Sequence, residues 1–145
     1  MEQYKLVFRR AYDLLEQYHT MFDWNCLEVI QNEIALAASN FAKEMLQAVA
    51  DELGRIRKMK QHITGMRIEI ESYKPAFLAA FYMLEKYHLT ICDEVWLKVV
   101  KDIGGPVTKF EVALMIAVVN EIECIYKANS ASNLQSNQTE EKQTA

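Results

Sequence analysis

Apolar residues recur every three or four positions along most of the chain, which is the spacing of one face of an α-helix. Between residues 2 and 22 this face consists of Tyr4, Phe8, Ala11 and Leu15. Only four Gly and two Pro interrupt the chain, fewer than a fold with many tight turns would need. The sequence therefore predicts an all-α fold, a bundle of six helices. The five further helical segments lie at about residues 23–37, 39–61, 72–89, 93–103 and 108–128.

Polar residues mark where two of these helices should begin. Thr20 precedes Asp23 by three residues, and Thr108 precedes Glu111 by the same distance. In such a capping box the hydroxyl and the carboxylate bind backbone N–H groups that the first helical turn leaves without partners. The two boxes predict that helices begin next to Thr20 and next to Thr108.

The predicted helices form two three-helix units in succession. Residues 1–64 make up the first unit, residues 65–70 a linker, and residues 71–128 the second unit. No Gly or Pro separates the second helix from the third, so the pattern also allows one long, bent helix there. Residues 129–145 consist mainly of Ser, Asn, Gln, Thr and Glu. This stretch predicts a disordered polar tail because it has little apolar surface to bury.

The two units resemble each other in sequence. When residues 2–19 are aligned with residues 71–88, nine of 18 positions are identical, where chance would give roughly one. The same offset of 69 residues aligns Glu52 with Glu121 on the third helix of each unit. A three-helix unit of this size would be only marginally stable by itself, because it cannot close a large core. We therefore predict a tandem duplication in which the two units pack as one domain around a pseudo-two-fold axis.

Composition and charge exclude several classes of function. A net charge of −4 disfavours a nucleic-acid-binding protein. The three cysteines, Cys26, Cys92 and Cys124, form no CxxC pair, so neither a disulfide framework nor a zinc site is expected. The longest apolar run, residues 112–119, has eight residues and is far too short to span a membrane. With no apolar signal segment near residue 1, these features predict a cytoplasmic protein without membrane contact.

One set of carboxylates and imidazoles suggests a metal site. The pattern Glu-x-x-His occurs once in each unit and places the two side chains one turn apart on a helix. A single glutamate also lies on the apolar face of the third helix of each unit. Two Glu-x-x-His motifs and two further glutamates are the ligand set of ferritin-like di-iron and di-manganese bundles. The candidate ligands are Glu16, His19, Glu52, Glu85, His88 and Glu121.

The order of the motifs argues for a structural role of these residues, without any cofactor. In the ferritin-like bundles the single glutamate precedes the Glu-x-x-His helix, whereas here it follows that helix. In the structural interpretation, His19 and His88 form hydrogen bonds with Glu52 and Glu121, or with a tyrosine, across the helices of the same unit. Buried polar pairs of this kind specify how helices align more than they add stability.

A function is expected where the two units differ. Trp24 and Trp96 do not align with each other, and the basic end of the third helix of unit one has only Lys127 as its counterpart. No Gly-rich phosphate loop, Ser/His/Asp set or activated Cys indicates an enzyme. We expect a small non-catalytic binding or regulatory module that acts through a protein partner or by self-association. Nucleic-acid binding through residues 55–60 is a third hypothesis. The candidate partner-binding residues are Trp24, Trp96, Arg55, Arg57, Lys58 and Lys60.

Overall fold

The computed structural model describes the backbone of residues 1–88 and 108–144, and the side chains of residues 1–88 and 108–128. Within these ranges the chain forms five α-helices and one short 3₁₀-helix, without a strand, so the all-α class is confirmed. The predicted helix at residues 93–103 lies outside the described residues, and the six-helix arrangement is therefore not confirmed. The helices are α1 (Glu2–Tyr18), α2 (Trp24–Leu36), α3 (Asn40–His62), α4 (Lys74–Tyr87) and α5 (Lys109–Thr144).

Helices α2 and α3 are separate because each has its own cap. The Asp23 carboxylate accepts a hydrogen bond from the Cys26 N–H at 2.9 Å ahead of α2. The Ser39 hydroxyl accepts one from the Ala42 N–H at 3.1 Å ahead of α3. Between them Ala37 has an extended backbone, with φ −63° and ψ 137°. The alternative of one long, bent helix is wrong.

Of the two capping boxes predicted above, the structure contains the one at Thr108 and not the one at Thr20. The Thr108 hydroxyl accepts a hydrogen bond from the Glu111 N–H at 3.1 Å, as predicted for the start of α5. The box at Thr20 is wrong, because the chain is not helical between Thr20 and Asp23, and Asp23 itself is the cap of α2. Both residues are good caps, and the sequence pattern does not decide between them.

A non-helical connection joins α3 to α4. Gly65, with φ 76°, lies in the left-handed region that side chains disfavour. The 3₁₀-helix Ile70–Tyr73 leads directly into α4, and Pro75 lies in the first turn of that helix, where its missing N–H removes no helical hydrogen bond.

Helix α5 is longer than predicted. Its backbone is helical to Thr144, whereas the sequence predicts a helix end near Ala128 and a disordered tail at residues 129–145. The tail contains Ala, Glu, Gln and Lys, which have good intrinsic helix propensity although they have little to bury. Among the helices that the structure describes, none combines the length and apolar content that a membrane crossing requires.

The core lies around α3 and α5, which pack against each other. Helix α1 packs on α3, α4 packs on α5, and α2 also packs on α3. Burying these apolar faces is the main favourable term in the stability of such a bundle. The described apolar side chains with no exposed surface are Ala11, Leu14, Leu15, Ile30, Met45, Val49, Leu53, Ala80, Leu84, Leu114 and Val118.

Positions that align between the two halves make similar aromatic contacts. The rings of Tyr4 and Phe41 meet edge to face with their centroids 5.5 Å apart. The aligned rings of Tyr73 and Phe110 meet in the same way at 5.4 Å. Such edge-to-face pairs add about 0.5–1.5 kcal/mol beyond the area they bury.

A second set of aligned aromatic residues crosses from α1 to α4. The Phe8 ring lies 5.4 Å from Phe81, and the Tyr12 ring lies 5.6 Å from Phe77. The offset of 69 residues relates Phe8 to Phe77 and Tyr12 to Phe81, so the two contacts are the same contact with the halves exchanged.

Candidate functional site

The six candidate metal ligands do not come together. The Nδ1 atom of His19 lies 2.6 Å from the backbone oxygen of Glu16, and that of His88 lies 2.8 Å from the backbone oxygen of Glu85. Each imidazole thus caps its own helix, and the carboxylates of Glu16 and Glu85 are exposed. Across residues 1–88 and 108–128, no three His, Cys, Asp or Glu side chains are placed to hold a metal ion.

The two core glutamates are bound by tyrosines and not by histidines. The Tyr4 hydroxyl donates to Glu121 Oε1 at 2.8 Å, and the Tyr73 hydroxyl donates to Glu52 Oε1 at 2.8 Å. We call these the crossed Tyr–Glu pairs, because each tyrosine comes from one half of the chain and its glutamate from the other. The predicted pairing of His19 and His88 with these glutamates is wrong. The identity of positions 4 and 73 in the alignment was the signal that could have revealed the tyrosines.

Burial and the negative partner both stabilise the protonated form of the two tyrosines. Burial, followed by the hydrogen bond to Glu121, raises the pKa of Tyr4 to about 12. The same two causes, with Glu52 as the partner, raise the pKa of Tyr73 further above the usual value of a phenol. Glu52 is 8% exposed and also forms an ion pair with Arg55, at 2.7 Å. Tyr73, Glu52 and Arg55 thus bind one another, which is the arrangement of a structural element.

A different set of predicted residues does come together, at the C-terminal end of α3. Trp24 lies in the first turn of α2 and is 75% exposed. The guanidinium carbon of Arg57 lies 6.0 Å from the centre of the indole ring. A cation over an aromatic ring at this distance adds about 0.5–1 kcal/mol at an exposed site. The ring of Trp24 is therefore held in place while most of its surface stays open to solvent.

The cap of α2 positions Trp24. Because Asp23 accepts hydrogen bonds from Cys26, and because the positive charge of Arg57 is nearby, the pKa of the Asp23 carboxyl is lowered. An ionised carboxylate at a helix N-terminus is favoured by the helix dipole. The cap and Arg57 thus stabilise the same turn.

Lys60 joins α3 to the end of α1. Its Nζ atom donates to the backbone oxygen of His19 at 2.7 Å and to that of Thr20 at 3.4 Å. The last carbonyl groups of a helix have no partner within the helix, and a lysine that binds them stabilises the helix end. The ammonium group is consequently fixed beside Thr20.

A cavity of about 280 Å³ opens between these groups. Arg57, Lys60 and Gln61 line it from α3, and His19 and Thr20 line it from the end of α1. None of its described lining residues is acidic. We call Trp24, Arg57, Lys60 and this cavity the basic corner.

The remaining candidate partner-binding residues lie elsewhere or have another role. Lys58 is exposed on α3 and does not line the cavity. Arg55 points to the core glutamate Glu52, and its Nε atom donates to Glu52 Oε2 at 2.9 Å. Trp96 lies outside the described residues. The structure thus brings Trp24, Arg57 and Lys60 together, whereas Arg55 serves the core.

Exposed apolar side chains form a second feature, which the sequence analysis did not identify. Leu6, Val29 and Leu36 border a groove of about 580 Å³ between α1, α2 and α3. Another groove of about 550 Å³ lies between α1 and α4, with Leu6 and Leu78 at its edges. Helical periodicity places Leu6 on the side of α1 opposite Tyr4, Phe8 and Leu15, which agrees with its exposure.

Comparison of the chain with protein-family models, with curated proteins and with solved structures gives no match.

Proposed function

We propose that the protein is a small, non-catalytic helical binding module that acts through protein–protein interaction. The basic corner is its binding site, and the ligand is an acidic segment of a partner protein. The observation that carries this proposal is the largely exposed Trp24 ring held against Arg57. Tryptophan and arginine are the residue types that most often dominate the binding energy of protein interfaces.

The distribution of charge along the chain supports an acidic binding partner. Residues 53–68 contain five Lys and Arg and no Asp or Glu, although the whole chain has a net charge of −4. The positive charge is thus concentrated at one end of α3. A complementary negative segment would be attracted there and would bind less tightly at high salt, because salt screens exposed charges.

The architecture we propose is two tandem units related by a pseudo-two-fold axis. The crossed Tyr–Glu pairs and the matching aromatic contacts support it. In this arrangement the basic corner belongs to the first unit alone, since Tyr126 and Asn129 align with Arg57 and Lys60. The shared residues serve the common core, and a residue set found in one unit is free to bind a partner.

The geometry gives the di-iron or di-manganese hypothesis no support. The two imidazoles cap their own helices, and the core glutamates are bound by tyrosines. A carboxylate that already accepts a tyrosine hydrogen bond in a buried site would have to give up that partner to bind a metal. We therefore do not propose a metal function.

A binding measurement tests the proposed function. A short fluorescein-labelled peptide of Glu and Leu residues serves as the acidic probe, and fluorescence anisotropy reports its binding to the full chain. Trp24→Ala should weaken binding by about 30-fold, since truncating such an anchor costs about 2 kcal/mol. Leu36→Ala is the matched control, because Leu36 is a more exposed apolar residue at the other end of α2.

Two results would contradict the proposal. Equal effects of Trp24→Ala and Leu36→Ala would show that the corner is not the site. Tighter binding of a single-stranded oligonucleotide than of the acidic peptide, lost in Arg57→Gln, would instead establish the nucleic-acid hypothesis, since cations and an exposed aromatic ring also bind single strands.

A further inference from the structure

We infer that the cavity of the basic corner is a phosphate subsite, which binds a phosphorylated Ser or Thr within the acidic partner segment. The inference rests on the proposed function and adds to it the chemical group that the partner presents. The cavity supplies the phosphate contacts, and the neighbouring Trp24 ring supplies apolar contact for the residues that flank the phosphate.

Lys60 is the first reason for this assignment. An ammonium group has three N–H donors, and two of them are used by the backbone oxygens of His19 and Thr20. The third donor is left for a ligand. Because the two backbone bonds already hold the ammonium at the cavity, binding an anion there costs little side-chain entropy.

Arg57 is the second reason. The guanidinium carbon lies 6.0 Å from the centre of the Trp24 ring, and no described residue accepts a hydrogen bond from Arg57, so its N–H groups can bind a ligand. Arginine presents paired donors that match two oxygens of a phosphate. Arg57 and Lys60 are one helical turn apart on α3 and line the same cavity.

Two neutral polar groups of the lining suit an anion as well, beside the apolar Phe22 and Ile56. The Thr20 hydroxyl and the Gln61 amide can each donate a hydrogen bond, and both residues line the cavity. The volume of about 280 Å³ leaves room for a phosphate group and several waters.

The number of donors favours a phosphate over a carboxylate. A phosphorylated Ser or Thr carries up to two negative charges near neutral pH and three acceptor oxygens, whereas a carboxylate carries one charge and two oxygens. The two cations and the two neutral donors exceed what one carboxylate can accept. A phosphate monoester uses more of them.

Three probes test the inference on the full chain by NMR titration and anisotropy. They are the Glu and Leu peptide, the same peptide with one phosphothreonine at its centre, and inorganic phosphate. We expect the phosphopeptide to bind about tenfold more tightly than the unphosphorylated peptide, and inorganic phosphate to shift the Thr20 and Lys60 amide signals in a saturable manner.

Matched charge variants locate the subsite. Arg57→Gln should remove most of the gain in affinity that phosphorylation gives to the peptide. Lys58→Gln removes the same charge from the neighbouring position of α3, outside the cavity, and should leave the gain nearly unchanged. Lys60→Gln also removes the bonds to α1, so its effect is read only after circular dichroism shows a folded chain.

The outcomes separate this inference from the proposed function. Binding of the unphosphorylated peptide that is lost in Trp24→Ala, with no gain from phosphorylation, overturns the phosphate subsite and leaves the proposed function intact. Saturable binding of inorganic phosphate without binding of either peptide overturns both. Equal losses in Arg57→Gln and Lys58→Gln overturn the subsite, because they would show diffuse charge attraction.

Discussion

Single residues decide how this protein tolerates carboxylates in its core. Glu52 is almost fully buried, and a charge in that position is costly unless hydrogen bonds and an opposite charge compensate it. Tyr73 and Arg55 supply that compensation at Glu52, and Tyr4 supplies the hydrogen bond at Glu121. Both tyrosine hydroxyls come from the start of the helical segment in the other half of the chain.

Removing one of these hydroxyls should destabilise the fold. We expect Tyr4→Phe and Tyr73→Phe each to lower the free energy of unfolding by about 1–2 kcal/mol, since each leaves a glutamate oxygen without its donor. Tyr82→Phe, at an exposed position, is the control and should change it by less than about 0.5 kcal/mol. Urea unfolding measures all three. Equal stabilities of the three variants would refute the role of the crossed pairs.

The same tyrosines predict a loss of stability at high pH. The pKa of Tyr4 is about 12 in the folded protein against 10.0 for a free phenol. Its contribution is therefore fully present below pH 10 and is lost as the pH rises from 10 to about 12, because only the unfolded chain gains from deprotonation. In urea unfolding at these pH values, the wild type should lose stability more steeply than Tyr4→Phe. Parallel curves would contradict the assigned interaction.

The starts of helices are the part of the fold that local sequence describes best. The predicted starts near Asp23, Ser39 and Thr108 lie within a residue or two of the observed ones, because a cap is a contact between neighbours in sequence. The Tyr–Glu pairing could not be predicted in the same way. Tyr4 and Glu121 are 117 positions apart, and helical periodicity shows only that each faces the core.

The same limit applies to the basic corner. Its basic residues are visible as a run in the sequence, but periodicity does not show that Arg55 turns to Glu52 while Arg57 turns to Trp24. That division depends on where α2 begins and how it packs on α3. The sequence therefore predicts the members of the site and not their separate roles.

Replacement by alanine should have opposite effects on stability at two glycines in different parts of the fold. Gly54 lies inside α3, and a Cβ atom there would meet no atom within 4 Å. Gly65 lies in the connection between α3 and α4 with φ 76°, which an alanine disfavours. We expect Gly54→Ala to raise the free energy of unfolding by about 0.5–1 kcal/mol and Gly65→Ala to lower it by about 1 kcal/mol. Thermal and urea unfolding would show the difference, and shifts of the same sign would contradict the two assignments.

At the scale of the whole molecule, the two halves of the chain depend on each other. Residues 1–62 supply α1, α2 and α3, and the later part supplies α4 and α5. The packing of α3 on α5 and the crossed Tyr–Glu pairs join the halves along their length. Residues 63–69, which connect the halves, contain the exposed Arg67 and no helix.

Cleavage of this connection should leave the fold assembled. Trypsin cuts after Lys and Arg in accessible, non-helical segments, so brief digestion should cut first after Arg67. We expect the fragments 1–67 and 68–145 to elute together in size-exclusion chromatography and to separate only in urea. Fragments that separate in native buffer would show that the interface between the halves is weak.

The crossed Tyr–Glu pairs also determine the molecularity of folding. Each half donates a tyrosine hydrogen bond to the glutamate of the other half, so each half acts as a partner of the other. In the intact chain the short connection keeps the halves at an effective concentration on the order of millimolar, and assembly is a first-order reaction. Once Arg67 is cut, assembly becomes second-order, and the melting temperature should rise with protein concentration as it does for an obligate dimer.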